Sequence, residues 1–148
     1  MKPLYTAVAT AHGGRTGHVR SSDGAIDLDL HMPKELGGPG GTGTNPEQLF
    51  ASGYAACFAN AMRSTARREE RESVVDGATV TAEVDIGRSG PGGKFGLAVR
   101  LKANVPGLAQ AAAEELVAAA HERCPYSNAT RGNIDVDITV TGASDPPS

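Results

Sequence analysis

The chain has 148 residues, a length that suits a single domain, with 39% apolar residues, only 4% aromatics and no Trp. Its formal charge of −3 leaves no electrostatic footprint for nucleic acid and no polybasic patch for a membrane surface. Ala and Gly take the place of large side chains, so helices are expected to pack closely, and oligomerisation would help so lean a core bury more surface. Met1 to Thr10 lacks the charged start and apolar run of a secretory leader. Gln48 to Met62, the longest uncharged apolar stretch, is too short to span a bilayer and reads as a buried helix. Two cysteines without a leader point to the cytoplasm, where a cysteine pair is more often catalytic or metal-binding than a structural staple.

In chain order, Tyr5 to Thr10 and Gly17 to Ser21 are short strand candidates, followed by a Ser22-Asp23-Gly24 turn. Ala25 to His31 alternates, with Ile26, Leu28 and Leu30 on one face and Asp27 and Asp29 on the other. Gly37 to Gly43 holds five glycines in seven residues, yet lacks the Gly-Lys-Ser/Thr ending and the strand-loop-helix context of a nucleotide cradle. Thr44 or Asn45 can cap a helix that starts at Pro46, has Glu47 in its first turn and continues to Glu72, buried in its first half and exposed in its last turns.

Two alternating strands follow. Val80, Ala82, Val84 and Ile86 share a face of the first, and Phe95, Leu97, Val99, Leu101 and Ala103 a face of the second, with Gly87 to Gly93 as the hairpin loop. Pro106 is expected to open a second helix, Gly107 to Cys124, which Pro125 ends. Ile134 to Val140 is a last strand, and residues 144–148 read as a frayed tail. The order predicts one α+β domain over residues 1–148, with about six mostly antiparallel strands wrapped around two main helices.

Both cysteines fall on apolar helix positions. Cys57 lies mid-way along the first helix, and Cys124 completes the stripe Ala113, Val117, Ala120, Cys124 on the second. If the two helices pack together, the thiols can meet and a disulfide becomes possible. A thiol in apolar surroundings reacts poorly unless a cation steadies its thiolate. Arg15, in the Gly13-Gly14-Arg15-Thr16-Gly17 turn, is the candidate, and Glu47 is the candidate carboxylate to pair with it. The histidines His12, His18, His31 and His121 match no zinc spacing, and no local signature supports a Cys–His hydrolase.

Two longer motifs carry a resemblance. Asn45-Pro46-Glu47-Gln48-Leu49-Phe50-Ala51 with Gly53-Tyr54-Ala55-Ala56-Cys57-Phe58, and Cys124-Pro125-Tyr126-Ser127-Asn128-Ala129-Thr130-Arg131-Gly132-Asn133-Ile134, resemble the organic hydroperoxide resistance proteins of the Ohr/OsmC family. The Gly13-Gly14-Arg15 turn and the Leu36 to Thr44 loop also look like that family, so the match runs over nearly the whole chain. The resemblance implies an intertwined homodimer with no metal and no organic prosthetic group. It implies Cys57 as the peroxidatic thiol, Cys124 as the resolving thiol, and Arg15 and Glu47 as the activating pair. It further implies organic hydroperoxides as substrates and a protein-borne lipoyl dithiol as the reductant. The competing reading is an OsmC-like stress protein or a non-enzymatic thiol redox sensor.

One geometric expectation concerns the active site. Glu47 and Cys57 lie ten residues apart. On one helix that is about 15 Å along the axis and about 80° around it. Either the helix breaks near Ser52-Gly53, or the Arg15–Glu47 pair serves the thiol of a partner chain. The second is favoured, because Ala51, Gly53, Ala55, Ala56 and Ala59 would let two such helices pass closely about a two-fold axis.

Overall fold

The computed structural model describes residues 1–144. The expected frayed tail therefore lies, apart from Ser144, outside the described residues. The chain divides into two compact units, one from Met1 to Leu49 and one from Phe50 onward.

In the first unit, β1 (Ala9–His12), β2 (His18–Ser21) and β3 (Asp27–Asp29) form an antiparallel sheet in that order. The strands are shorter than the alternation predicted, and the first begins beyond Tyr5 rather than at it. The expected apolar face splits as well: Leu30 is buried, but Leu28 is 41% exposed and Ile26 is exposed beside it. The Ser22-Asp23-Gly24 turn forms because the Asp23 carboxylate accepts from both the Ser21 hydroxyl (2.7 Å) and the Ala25 N–H (3.0 Å). The turn between β1 and β2 is a single 3₁₀ turn, Gly14–Thr16. It requires glycine at position 17, where a Cβ would fall 1.7 Å from the His12 carbonyl oxygen.

The glycine-rich loop turns its amides inward. The Gly43 N–H donates to His31 Nδ1 (2.8 Å), and Gly38 and Gly40 donate to the Pro33 and Met32 carbonyls. Those donors are used within the loop and do not form a phosphate cradle.

Helix α1 (Pro46–Arg68) starts in this unit and continues into the next without a break. Asn45 is its cap, its side-chain oxygen accepting the Gln48 N–H at 2.8 Å, and Pro46 follows at the first helical position. The helix stops at Arg68, short of the expected Glu72. Glu70 adopts a left-handed conformation (φ 57°), and Glu72 folds back to pair with Arg63 and Arg67. Burial also falls later along it than expected: Tyr54 is the one fully buried residue of its first half, and Phe58, Ala61, Met62, Thr65 and Ala66 follow, the last two past the first basic residue, Arg63.

The second unit holds β4 (Thr79–Ser89), β5 (Lys94–Ala109) and β6 (Val136–Ala143) in one sheet. β4 and β5 are an antiparallel hairpin, registered from Thr79↔Asn104 to Ser89↔Lys94, so the strands run closer to the turn than the expected Gly87–Gly93 loop allowed. β5 and β6 pair in parallel, because two helices lie between them in the chain. These are α2 (Gln110–Arg123) and a short α3 (Pro125–Thr130), the latter not anticipated from sequence.

Pro106 does not open α2. It lies within β5, past Asn104, the last residue that pairs with β4, at an irregularity in the β5–β6 register. A proline's missing N–H costs nothing where no neighbouring strand needs it. The start of α2 is instead tied to β6 by Gln110, whose amide donates to the Val140 carbonyl (2.9 Å) and accepts the Gly142 N–H (2.7 Å).

The core lies between this sheet and the helices. Tyr54, Phe58 and Met62 of α1 and Leu116, Val117 and Ala120 of α2 pack with Val99, Leu101 and Val105 of β5. Burying each large apolar side chain there contributes roughly 1.5–3 kcal/mol. Six strands and three helices among the described residues make the predicted α+β architecture.

Candidate active site

Cys57 lies on α1 one turn beyond Tyr54, and Cys124 sits in the joint between α2 and α3. The chain turns there because Cys124 takes an extended conformation (φ −63°, ψ 121°) before Pro125, which then serves as the first residue of α3. The anticipated α2 stripe is buried throughout, at Ala113, Val117, Ala120 and Cys124. As a result Cys124 Sγ reaches 3.5 Å from Cys57 Sγ, donating toward it, and both cysteines are free thiols. A disulfide needs about 2.0 Å, so closing the pair takes a movement of about 1.5 Å.

Cys57 is half-buried, and that burial is the largest influence on its thiol, pushing its pKa above the ordinary value. The N–H of Tyr126, in the first turn of α3, donates to Cys57 and acts in the opposite direction, while the contact with Cys124 adds to the rise. Within this unit the thiol therefore needs a further source of stabilisation before much of it is thiolate near neutral pH.

Arg15 and Glu47 are brought together within the first unit. Two parallel hydrogen bonds, Nη1 to Oε2 and Nη2 to Oε1, each measure 2.7 Å. The carboxylate side chain is 14% exposed and the guanidinium 31%. This fork-to-fork geometry fixes the plane of the guanidinium as well as its charge. The Arg15 bond holds the Glu47 carboxyl below its usual range, and Glu47 in turn raises Arg15. Glu47 also sits in the first turn of α1, where the helix favours negative charge.

Beside Tyr126 lies a cavity of about 380 Å³ with a mostly apolar lining that includes Phe50, Leu97 and Ile134. Phe50 and Tyr126 of this lining form an aromatic cluster with the buried Tyr54, with ring centroids 5.8 to 6.4 Å apart. Among the described residues no group of three or more His, Cys, Asp or Glu could hold a metal. His18 lies between Asp27 and Asp29, and His121 bonds Ser127 Oγ at 2.9 Å.

Residues 38–139 match the family model of OsmC-like proteins. The organic hydroperoxide resistance protein of Xanthomonas axonopodis pv. citri (strain 306) is 54% identical over 139 residues, 94% of this chain and 96% of its own length. The organic hydroperoxide resistance protein OhrB of Bacillus subtilis (strain 168) is 47% identical over 93% of this chain and 98% of its own. The crystal structure of an organic hydroperoxide resistance protein from Legionella pneumophila superposes with a TM-score of 0.88 at 55% identity, covering 95% of this chain and 99% of that one. The chain belongs to the Ohr/OsmC family, in its organic hydroperoxide resistance branch. Membership accounts for the α+β architecture and for a role connected with peroxides.

Two features of this family member's site were not read from its sequence. The Tyr126 N–H acts on Cys57, and a hydroxyl cluster of Tyr54, Ser127 and Thr130 lies beside the thiols. The sequence marks Pro125 as the end of α2. The same residue, followed by Tyr126 and Ser127, was also the available sign of a new helix start.

Proposed function

We propose that the protein is a thiol peroxidase that reduces organic hydroperoxides to alcohols in the cytoplasm, as a homodimer of one Ohr/OsmC-like domain per chain. The observation that carries this reading is the 3.5 Å approach of two free thiols, one half-buried and one buried, in a member of this family.

Cys57 thiolate attacks the terminal oxygen of the hydroperoxide. The O–O bond breaks, the alkoxide takes a proton and leaves as the alcohol, and Cys57 becomes a sulfenic acid. Cys124 then attacks that sulfur, a water molecule departs, and the Cys57–Cys124 disulfide forms. An external dithiol, a lipoyl group on a partner protein, reopens it by exchange and is itself oxidised to its disulfide. Arg15, oriented by Glu47, lowers the Cys57 pKa against the effect of burial and steadies negative charge on the peroxide oxygens. The cavity beside Tyr126 supports an organic substrate, because an alkyl tail gains from burial and hydrogen peroxide has none.

Two further observations favour a dimer. Met1–Leu49 leaves Leu4, Tyr5, Val8, Ile26 and Leu28 exposed. The unbroken α1 also speaks against the alternative of a break at Ser52-Gly53, which favours service of each Cys57 by the Arg15–Glu47 pair of the other chain.

Turnover tests the reading. With dihydrolipoamide present, the wild type should consume many equivalents of an alkyl hydroperoxide and Cys57→Ser none; without dithiol, Cys124→Ser should consume one, leaving a trappable sulfenic acid. A redox sensor would stop after one equivalent even with dithiol present. Oxidation of Cys57→Ser but not of Cys124→Ser would reverse the two roles.

A further inference from the structure

We propose that Tyr54, Ser127 and His121 are positioning residues that set the approach of Cys124 to Cys57. The inference rests on the reading of these two cysteines as a redox pair.

Each of the three lies three residues from a cysteine: Tyr54 before Cys57 on α1, His121 before Cys124 on α2, and Ser127 after Cys124 on α3. At that spacing each is about one helical turn from its sulfur. Tyr54 Oη is 2.8 Å from Ser127 Oγ and 3.2 Å from Thr130 Oγ1, and His121 Nδ1 is 2.9 Å from Ser127 Oγ. One hydrogen-bonded cluster thus ties together the three helices whose arrangement decides the sulfur–sulfur distance. It also fixes Tyr126, the neighbour of Ser127 that delivers its N–H to Cys57.

The hydrogen bonds have one consistent direction. Thr130 Oγ1 donates its single proton to the Ser127 carbonyl at 3.2 Å. Tyr54 must then donate to Thr130, Ser127 to Tyr54, and His121 Nδ1–H to Ser127. Every hydroxyl donates once and accepts once, and among the described residues no buried side-chain polar atom is left without a partner. The order requires the neutral His121 to carry its proton on Nδ1.

The location of these groups is selective. Three polar residues are buried among the described ones, and two of them, Ser127 and Thr130, belong to this cluster; the third, Thr65, simply back-bonds to Ala61 O within α1. Tyr54 is completely buried, and phenylalanine would pack its ring equally well. Its hydroxyl therefore adds a directional tie beyond apolar filling. Holding Cys124 near Cys57 before oxidation lowers the ordering required for disulfide closure. By linkage, the disulfide strengthens the cluster in return.

Equilibration of the purified protein with oxidised and reduced dithiothreitol tests this. The oxidised reagent takes two electrons and two protons from Cys57 and Cys124, so their S–S bond forms and the open dithiol is released. Tyr54→Phe should lower the equilibrium constant for the Cys57–Cys124 disulfide roughly five-fold or more, the scale of one net hydrogen bond. The Cys57 sulfenic acid should live longer by a similar factor. Thr130→Val, at the far end of the chain of bonds, should shift the equilibrium less in the same direction, and it carries the test if Tyr54→Phe fails to fold.

Urea unfolding of both redox forms separates positioning from a plain structural role. Tyr54→Phe should cost the oxidised form more stability than the dithiol form. Equal losses, with an unmoved redox equilibrium, would overturn the inference. So would a ¹⁵N spectrum that puts the neutral His121 proton on Nε2. A wild type that forms no Cys57–Cys124 disulfide would instead sink the redox-pair reading itself.

Discussion

Met1–Leu49 and the region from Phe50 onward are held together by different forces. In the first, Leu30 is the one buried hydrophobic residue, and polar contacts stand out: Arg15 with Glu47, His18 with Asp27 and Asp29, and Asp23 across its turn. In the second, buried side chains of α1, α2 and β5 form a continuous apolar cluster. The chemistry divides along the same line. The thiols lie in the apolar region, where packing can hold two sulfurs at 3.5 Å, but burial also raises the Cys57 pKa. A charged pair is costly to keep in such a core, and Arg15 and Glu47 are paired in the polar region. An apolar scaffold fixes the geometry of the thiols, and in the proposed mechanism the charged pair supplies their reactivity.

The largest expected effect tests whether those contributions combine across two chains. Arg15→Ala should raise the Cys57 pKa and slow peroxide reduction near neutral pH by about 100-fold. A purified hybrid of Arg15→Ala with Cys57→Ser, two inactive parents, should recover about half of the wild-type activity, because one of its two sites regains both residues. A hybrid as inactive as its parents would mean that each site is built within a single chain.

Next in size is a comparison of core with surface. Leu101→Ala should cost about 2–5 kcal/mol in urea unfolding, since that side chain is wholly buried. Leu28→Ala should stay within about 0.5 kcal/mol for the isolated chain. A loss at Leu28 approaching that at Leu101 would break the contrast and show that a second copy covers the β3 face.

A smaller effect follows pH. The Glu47 carboxyl is held below its ordinary 4.5 by Arg15, so the folded state binds this proton less readily than the unfolded chain. The stabilisation is fully present above 4.5 and is lost as the pH falls through the lower folded value. Unfolding of wild type and Glu47→Gln should therefore differ at pH 6 and converge in strong acid; a gap unchanged by acid would contradict the ion pair.

The smallest effect belongs to His18, raised above its ordinary 6.5 first by Asp29 and then by Asp27. Its contribution is complete below 6.5 and disappears as the pH rises through the folded value. An NMR titration should place His18 above 6.5, with Asp29→Asn bringing it down. No change in that variant would remove the pairing from the account of the first sheet.

Much of this was legible in the residues. Asn45-Pro46 marked the start of α1 because a capping side chain and a proline suit only that end of a helix. Ala113, Val117, Ala120 and Cys124 marked the buried face of α2 because helical spacing alone aligns them. Pro106 misled, since a proline that can open a helix can equally occupy an irregular strand position with no neighbour. The parallel β5–β6 pairing and α3 were also missed. Both depend on where the chain returns after α2, which periodicity does not encode.

The sequence by itself determined most of the local elements, the apolar helix faces that carry the cysteines, and, through two long motifs, membership of the family. Local spacing suffices there, because periodicity and capping act over a few residues. Only the tertiary structure decided that Cys57 and Cys124 meet at 3.5 Å, that Arg15 and Glu47 join by two 2.7 Å hydrogen bonds, and that Tyr54, Ser127 and His121 share one cluster. Those contacts join residues from 6 to 73 positions apart, and their distances depend on how whole helices, strands and turns pack.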